Sequence, residues 1–244
     1  MSAFAGALQP SLAEAVAAAE LIRERQQREQ DCEISRAEAE ALLTLDRMQP
    51  DSTPVWRDFV ASAIAGHIVS AEPAGILNDE KSDWLMRRVA PAGRAESGVA
   101  FETMLRAFER AREIAPQLSA FAIRQLCAAC ISGEGALIGE RVHFSRTVDA
   151  EDTAMLHRIL VAAGGAEGRP VSREEAEALF DLHDATARSQ NDTAFNDLFY
   201  RAIANYVLAA SGHALEPRKE ALSAEYVLSA RLRPSAEQVS WLSE

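Results

Sequence analysis

Acidic side chains dominate the chemistry open to this chain. Asp181, His183 and Asp184 lie close together, with Glu175 before them and Asp192 and Asp197 after. On a helix Asp181 and Asp184 stand three residues apart and share a face, with His183 off it. Carboxylate oxygens with one imidazole suit a hard or borderline divalent ion. Asp181, Asp184, His183 and Glu175 are therefore the candidate metal ligands, and a divalent cation is the one cofactor the residues suggest. The competing reading is a solvated helix end followed by a helix capped by Asp192.

A second acidic pattern invites a calcium test. Ile34/Glu38, Ile76/Glu80, Val148/Asp152 and Val171/Glu175 each place an acid four residues after a hydrophobe, as in the exit half of an EF-hand loop. The entry halves do not match. Positions 1, 3 and 5 before Val171 are Gly164, Ala166 and Gly168, and before Ile76 they are Val69, Ala71 and Pro73. Before Val148 they are Arg141, His143 and Ser145. Before Ile34 they are Gln27, Glu29 and Asp31, with Cys32 where the loop needs glycine. Capped helix starts explain all four pairs without calcium.

Catalytic patterns are absent from the sequence. Cys127 and Cys130 form a CxxC, but it sits late in an apolar stretch with no preceding strand, so packing cysteines are expected rather than a redox pair. His67, His143, His157, His183 and His213 are scattered and form no HExxH. There is no GxSxG, P-loop or GxGxxG, and Ser52 and Thr53 have no nearby histidine to activate them. The expectation is a protein that is not an enzyme and has no organic cofactor.

The elements that position these residues are helices, and they repeat. Ile34-Ser-Arg-Ala-Glu-Ala-Glu-Ala-Leu-Leu43 matches Val171-Ser-Arg-Glu-Glu-Ala-Glu-Ala-Leu-Phe180 at an offset of 137. Trp56–Ala65 matches Phe195–Ala204 at an offset of 139, and Asp79–Leu85 is echoed by Ala236–Leu242. Three blocks in one order indicate a duplicated helical unit. Ser35-x-x-Glu38 and Ser172-x-x-Glu175 are capping boxes, with Ile34 and Val171 as hydrophobic staples before them. Pro54 suits a first helical turn, with Asp51 or Ser52 as its cap. Trp84 and Trp241 stand at matching positions and are expected to anchor each unit. His67 aligns with Tyr206, and Asp58 with Asp197.

Further helices are expected over Leu12–Gln27, Phe101–Ile114, Leu118–Ile131 (buried and central) and Asp149–Ala163. Arg141–Val148 is the one weak strand candidate. The fold class is all-α, a duplicated unit of about ten helices packed as a pseudo-symmetric bundle. Residues 10–90 form copy one; residues 99–244 hold a helical insertion and copy two; Pro91–Gly98 reads as a linker.

Composition sets the boundaries of function. Of 244 residues, 48% are hydrophobic and 25% charged, and the net charge is −12. That charge argues against nucleic-acid binding and against an anionic membrane surface. The sequence shows no basic residue before Arg23, no membrane-length apolar run, and an odd count of 3 cysteines, so a reduced cytoplasmic compartment is expected. The lysines are Lys81 and Lys219 alone, and with so much alanine this points to a bacterial source.

The stretch Gly164-Gly-Ala-Glu-Gly-Arg-Pro-Val-Ser-Arg-Glu-Glu-Ala-Glu-Ala-Leu179 resembles the hallmark of the tellurite-resistance (TerB-like) helical domains. There a short acidic turn with glycine precedes hydrophobic-Ser-x-x-Glu and a helix. The resemblance covers about 40 residues per copy. It implies an all-helical fold, a link to stress responses and membrane-associated complexes, and divalent metal held by acidic side chains. Ala166-Glu167-Gly168 stands where the family has Asp-Gly, and copy one has Asp31-Cys32-Glu33. The expected function is a non-catalytic helical interaction or regulatory scaffold with an unidentified protein partner; the alternative is a divalent-metal-binding stress protein. A homodimer is left open by the Ala-rich helix faces.

Overall fold

The structure is a computed structural model that describes residues 16, 17, 19, 20, 22, 34–48, 53–95, 97–133 and 146–223. Among the described residues, nine helices and two short strands have described bounds: α1 (Arg36–Met48), α2 (Pro54–Ser70), β1 (Ile76–Leu77), α3 (Asp79–Val89), α4 (Gly98–Arg110), β2 (Glu113–Ile114), α5 (Pro116–Ser132), α6 (Ala150–Ala163), α7 (Arg173–Thr186), α8 (Thr193–Ala210) and α9 (Arg218–Ala221). Of the expected Leu12–Gln27 helix, residues 16, 17, 19, 20 and 22 are described and helical. The strand expected over Arg141–Val148 lies largely outside the described residues, as does the 236–242 block.

The helices begin where a short side chain can serve an orphan backbone N–H. Ser35 and Glu38 complete their capping box, with Glu38 Oε2 accepting from Ser35 N–H at 2.7 Å. Asp149/Asp152 and Ser172/Glu175 form full boxes at the starts of α6 and α7. The Ile76/Glu80 pair starts α3 differently: Asn78 Oδ1 accepts from Lys81 N–H at 3.0 Å. For α2, Pro54 sits in the first turn as expected, but the cap is Thr53, which accepts from Trp56 N–H. Each cap is worth about 1 kcal/mol.

The strands were not expected. Helix α4 stops at Arg110 rather than running to Ile114, because Arg112 N–H and Ala115 N–H bond to Gly75 O and Leu77 O. This places Ile76–Leu77 parallel to Glu113–Ile114. Two residues per strand are too few for an alternating pattern to register.

One continuous apolar core runs through both halves, from Ile34 and Leu42 through Leu105 and Ile123 to Leu179, Phe195 and Leu222. Helix α4, beyond the 91–98 segment, is the main neighbour of α2, and α5 is that of α7. As expected, α5 is buried along most of its length, including Leu118, Ile123, Leu126 and Cys130.

Candidate functional site

Three turns, 71–75, 111–115 and 164–168, are joined by backbone hydrogen bonds, and the last leads into α7. In the first, Lys81 is buried and its ammonium donates to Ala71 O at 2.6 Å and Pro73 O at 2.8 Å. Burial lowers the Lys81 pKa, while nearby Glu72 raises it. The second turn, 111–115, supplies β2. The third, Gly164–Gly168, packs against it: Ala166 N–H donates to Arg112 O. Gly165 has φ +64, and a Cβ there would lie 2.2 Å from Arg112 O, so this turn requires glycine.

Arg218 then closes the third turn onto α7. Its backbone N–H donates to Gly168 O, and its Nη2 donates to Glu175 Oε1 at 2.8 Å. The Arg218 and Glu175 side chains are 1% and 2% exposed. The other Glu175 oxygen accepts from Ser172 N–H. Glu175 is thus committed twice, as helix cap and as counter-ion to a buried guanidinium.

The remaining candidate ligands stand elsewhere on α7. Asp181 and Asp184 are exposed. His183 is half-buried and stacked on Phe199, with centroids 4.1 Å apart and planes 9° from parallel. Its Nδ1 lies 3.6 Å from Asp184 Oδ1. Nine residues of helix put Asp184 about 13 Å along the axis from Glu175 and on the opposite face. Among the described residues, no three His, Cys, Asp or Glu side chains gather as a metal site. Asp192 caps α8 through Ala194 N–H. Asp197 pairs at 3.7 Å with Arg201, whereas its repeat-mate Asp58 pairs at 2.6 Å with Arg106 of α4.

Cys127 and Cys130 lie on α5, and the Cys130 thiol donates to Asp152 Oδ2 at 3.4 Å. Burial, with a contribution from Asp181, raises the Cys127 pKa to about 11. At neutral pH this is the protonated, unreactive thiol of a packing residue.

What the residue patterns missed lies on α8. Phe195, Leu198, Phe199 and Ala202 bury one face. The opposite face, Tyr200, Ala204, Val207 and Leu208, is also apolar, yet exposed. Tyr200 is 61% exposed and Val207 50%. Phe180 of α7 is 44% exposed and meets the buried Phe199 edge-on, with ring centroids 5.3 Å apart. A helix apolar on both faces was the available signal, since such a helix is normally covered all round. Asp197, at the start of this face, is largely exposed.

The chain matches no known protein family, no curated protein and no solved structure. Among the described residues no helix is long and apolar enough to cross a membrane.

Proposed function

We propose that the protein is a duplicated, TerB-like helical scaffold that acts by holding a protein partner and not by catalysis, with the exposed face of α8 as its docking surface. One comparison carries this reading. By the sequence repeat, Tyr200, Ala204 and Val207 of α8 correspond to Ala61, Ala65 and Ile68 of α2. Those three are 0%, 0% and 3% exposed in a helix whose main neighbour is α4. Phe180 likewise corresponds to the buried Leu43. Copy two presents the same face with no described helix along it.

The α2–α4 contact indicates what would fit. Helix α4 offers one apolar face and brings Arg106 onto Asp58 and Ser62, and Arg110 onto Ser62 O. The expected partner element is therefore an amphipathic helix with a basic residue placed to meet Asp197. An acidic protein surface favours such a partner by complementarity.

A photo-reactive phenylalanine analogue placed at position 200 or 207, in cells of the source organism, tests the reading. The expected product is one heterologous protein, cross-linked from both positions but not from exposed Glu151, and lost in Asp197→Lys. Cross-links to the protein itself would replace this with self-association, and none above the Glu151 background would overturn it.

A further inference from the structure

The repeat points to a second uncovered site on copy two, with its ligand in the same chain. In copy one Arg36 Nε donates to Glu40 Oε1 at 3.1 Å. Trp84 and Arg88 of α3 close over this pair: Arg88 Nη2 donates to Glu40 Oε1 at 2.7 Å, Trp84 Nε1–H reaches the same oxygen at 3.4 Å, and the Arg36 guanidinium lies 5.7 Å from the Trp84 ring centroid. The ring meets His67 of α2 edge-on, with centroids 6.2 Å apart. Under this cover the Arg36 and Glu40 side chains are 32% and 8% exposed.

Copy two holds the same receptor. Arg173 Nε donates to Glu177 Oε1 at 2.8 Å, one repeat away from Arg36 and Glu40. Tyr206, the repeat-mate of His67, is half-buried on α8. Here the Arg and Glu side chains are 76% and 53% exposed. The pair is the same, and the described residues place no tryptophan over it.

We propose that residues 236–242 dock on Arg173, Glu177 and Tyr206 as α3 docks on Arg36, Glu40 and His67. Ala236-Glu-Gln-Val-Ser-Trp-Leu242 carries Glu237, Trp241 and Leu242 where α3 carries Glu80, Trp84 and Leu85. Ser235 stands where Asn78 caps α3. Trp241 supplies the ring for the Arg173 guanidinium and the N–H for the Glu177 carboxylate, an attraction strengthened as water is excluded. The reach is ample. Leu222 O is bonded to Arg201 Nη1 on α8, and Tyr206 lies about 7.5 Å further along that helix. The thirteen residues from Ser223 to Ser235 can span about 40 Å when extended.

This inference shares the duplication with the scaffold reading but not its partner, so a shielded Trp241 and a bare α8 face can each be found without the other. In the full chain, the difference in emission between wild type and Trp241→Phe isolates Trp241. Its emission is expected to be blue-shifted, and acrylamide to quench it several-fold less than free N-acetyltryptophanamide. Arg173→Ala with Glu177→Ala, both at exposed positions, should restore free quenching; Glu174→Ala should not. Quenching like that of the free compound would overturn the proposal. So would shielding indifferent to the double substitution, or shielding lost on dilution together with a dimer, which would mean the segment binds a second copy.

Discussion

Glu175 illustrates how one buried carboxylate serves two structural partners at once. It caps α7 and neutralises Arg218 in a site with almost no solvent. Removing either charge strands the other, so Arg218→Met should destabilise the protein by about 3–5 kcal/mol. Urea unfolding measures this directly as a lower midpoint at unchanged slope. Asp46 is a second buried acid. Desolvation raises its pKa, opposed by the Ser97 hydroxyl, which donates to Oδ2 at 2.6 Å, and by Arg57 and Arg47. The folded protein therefore holds this proton more tightly than the unfolded chain. The stability Asp46 contributes is complete below the ordinary aspartate value of 3.8 and falls as pH rises through the raised value. Asp46→Asn keeps an acceptor for Ser97 and loses the titration. Denaturation at a series of pH values should show wild type losing ground to the variant from acid toward neutral pH; parallel curves would refute this.

Turns fix the chain just before α7, whose body packs on α5. The Gly164–Gly168 turn lies so close to the 111–115 turn that a side chain at 165 would collide with Arg112 O. Gly165→Ala combines that collision with a left-handed backbone and should cost about 2–4 kcal/mol. Gly93 is the matched control, with φ +80 and nothing within 4 Å of a Cβ. Gly93→Ala should cost only about 1 kcal/mol, the left-handed penalty alone. At about 2–4 °C per kcal/mol for a chain of this size, melting curves separate the two.

At the scale of the whole molecule, one core joins both halves and leaves α8 half covered. The acids Asp181 and Asp184 stand on the exposed side of α7, separated from Glu175 by the body of the helix. The expected consequence is that EDTA, or added calcium, magnesium or zinc, leaves the melting temperature where it was. A site filled at a hundred times its dissociation constant would add about 2.7 kcal/mol and move it visibly. Such a shift, abolished by Asp181→Asn with Asp184→Asn, would establish the metal reading.

Local interactions made much of the fold legible in the residues alone. A capping box joins residues three apart and a helical stripe residues three or four apart, so the starts of α1, α6 and α7 and the burial of α5 follow from short windows. The candidate ligands were legible only as types: Asp181, His183 and Asp184 do share one stretch of α7, but adjacency in sequence does not make three side chains converge. Decisions that depend on distant partners were hidden. The β1–β2 pairing joins residues 37 apart, and the Glu175–Arg218 pair joins residues 43 apart. The exposure of Tyr200 and Val207 depends on which helix lies beside α8, not on α8 itself. The sequence determined the helices and the sites where they begin. Tertiary packing decided which carboxylates are buried and which apolar face is left open, because burial is a property of neighbours brought together only by the fold.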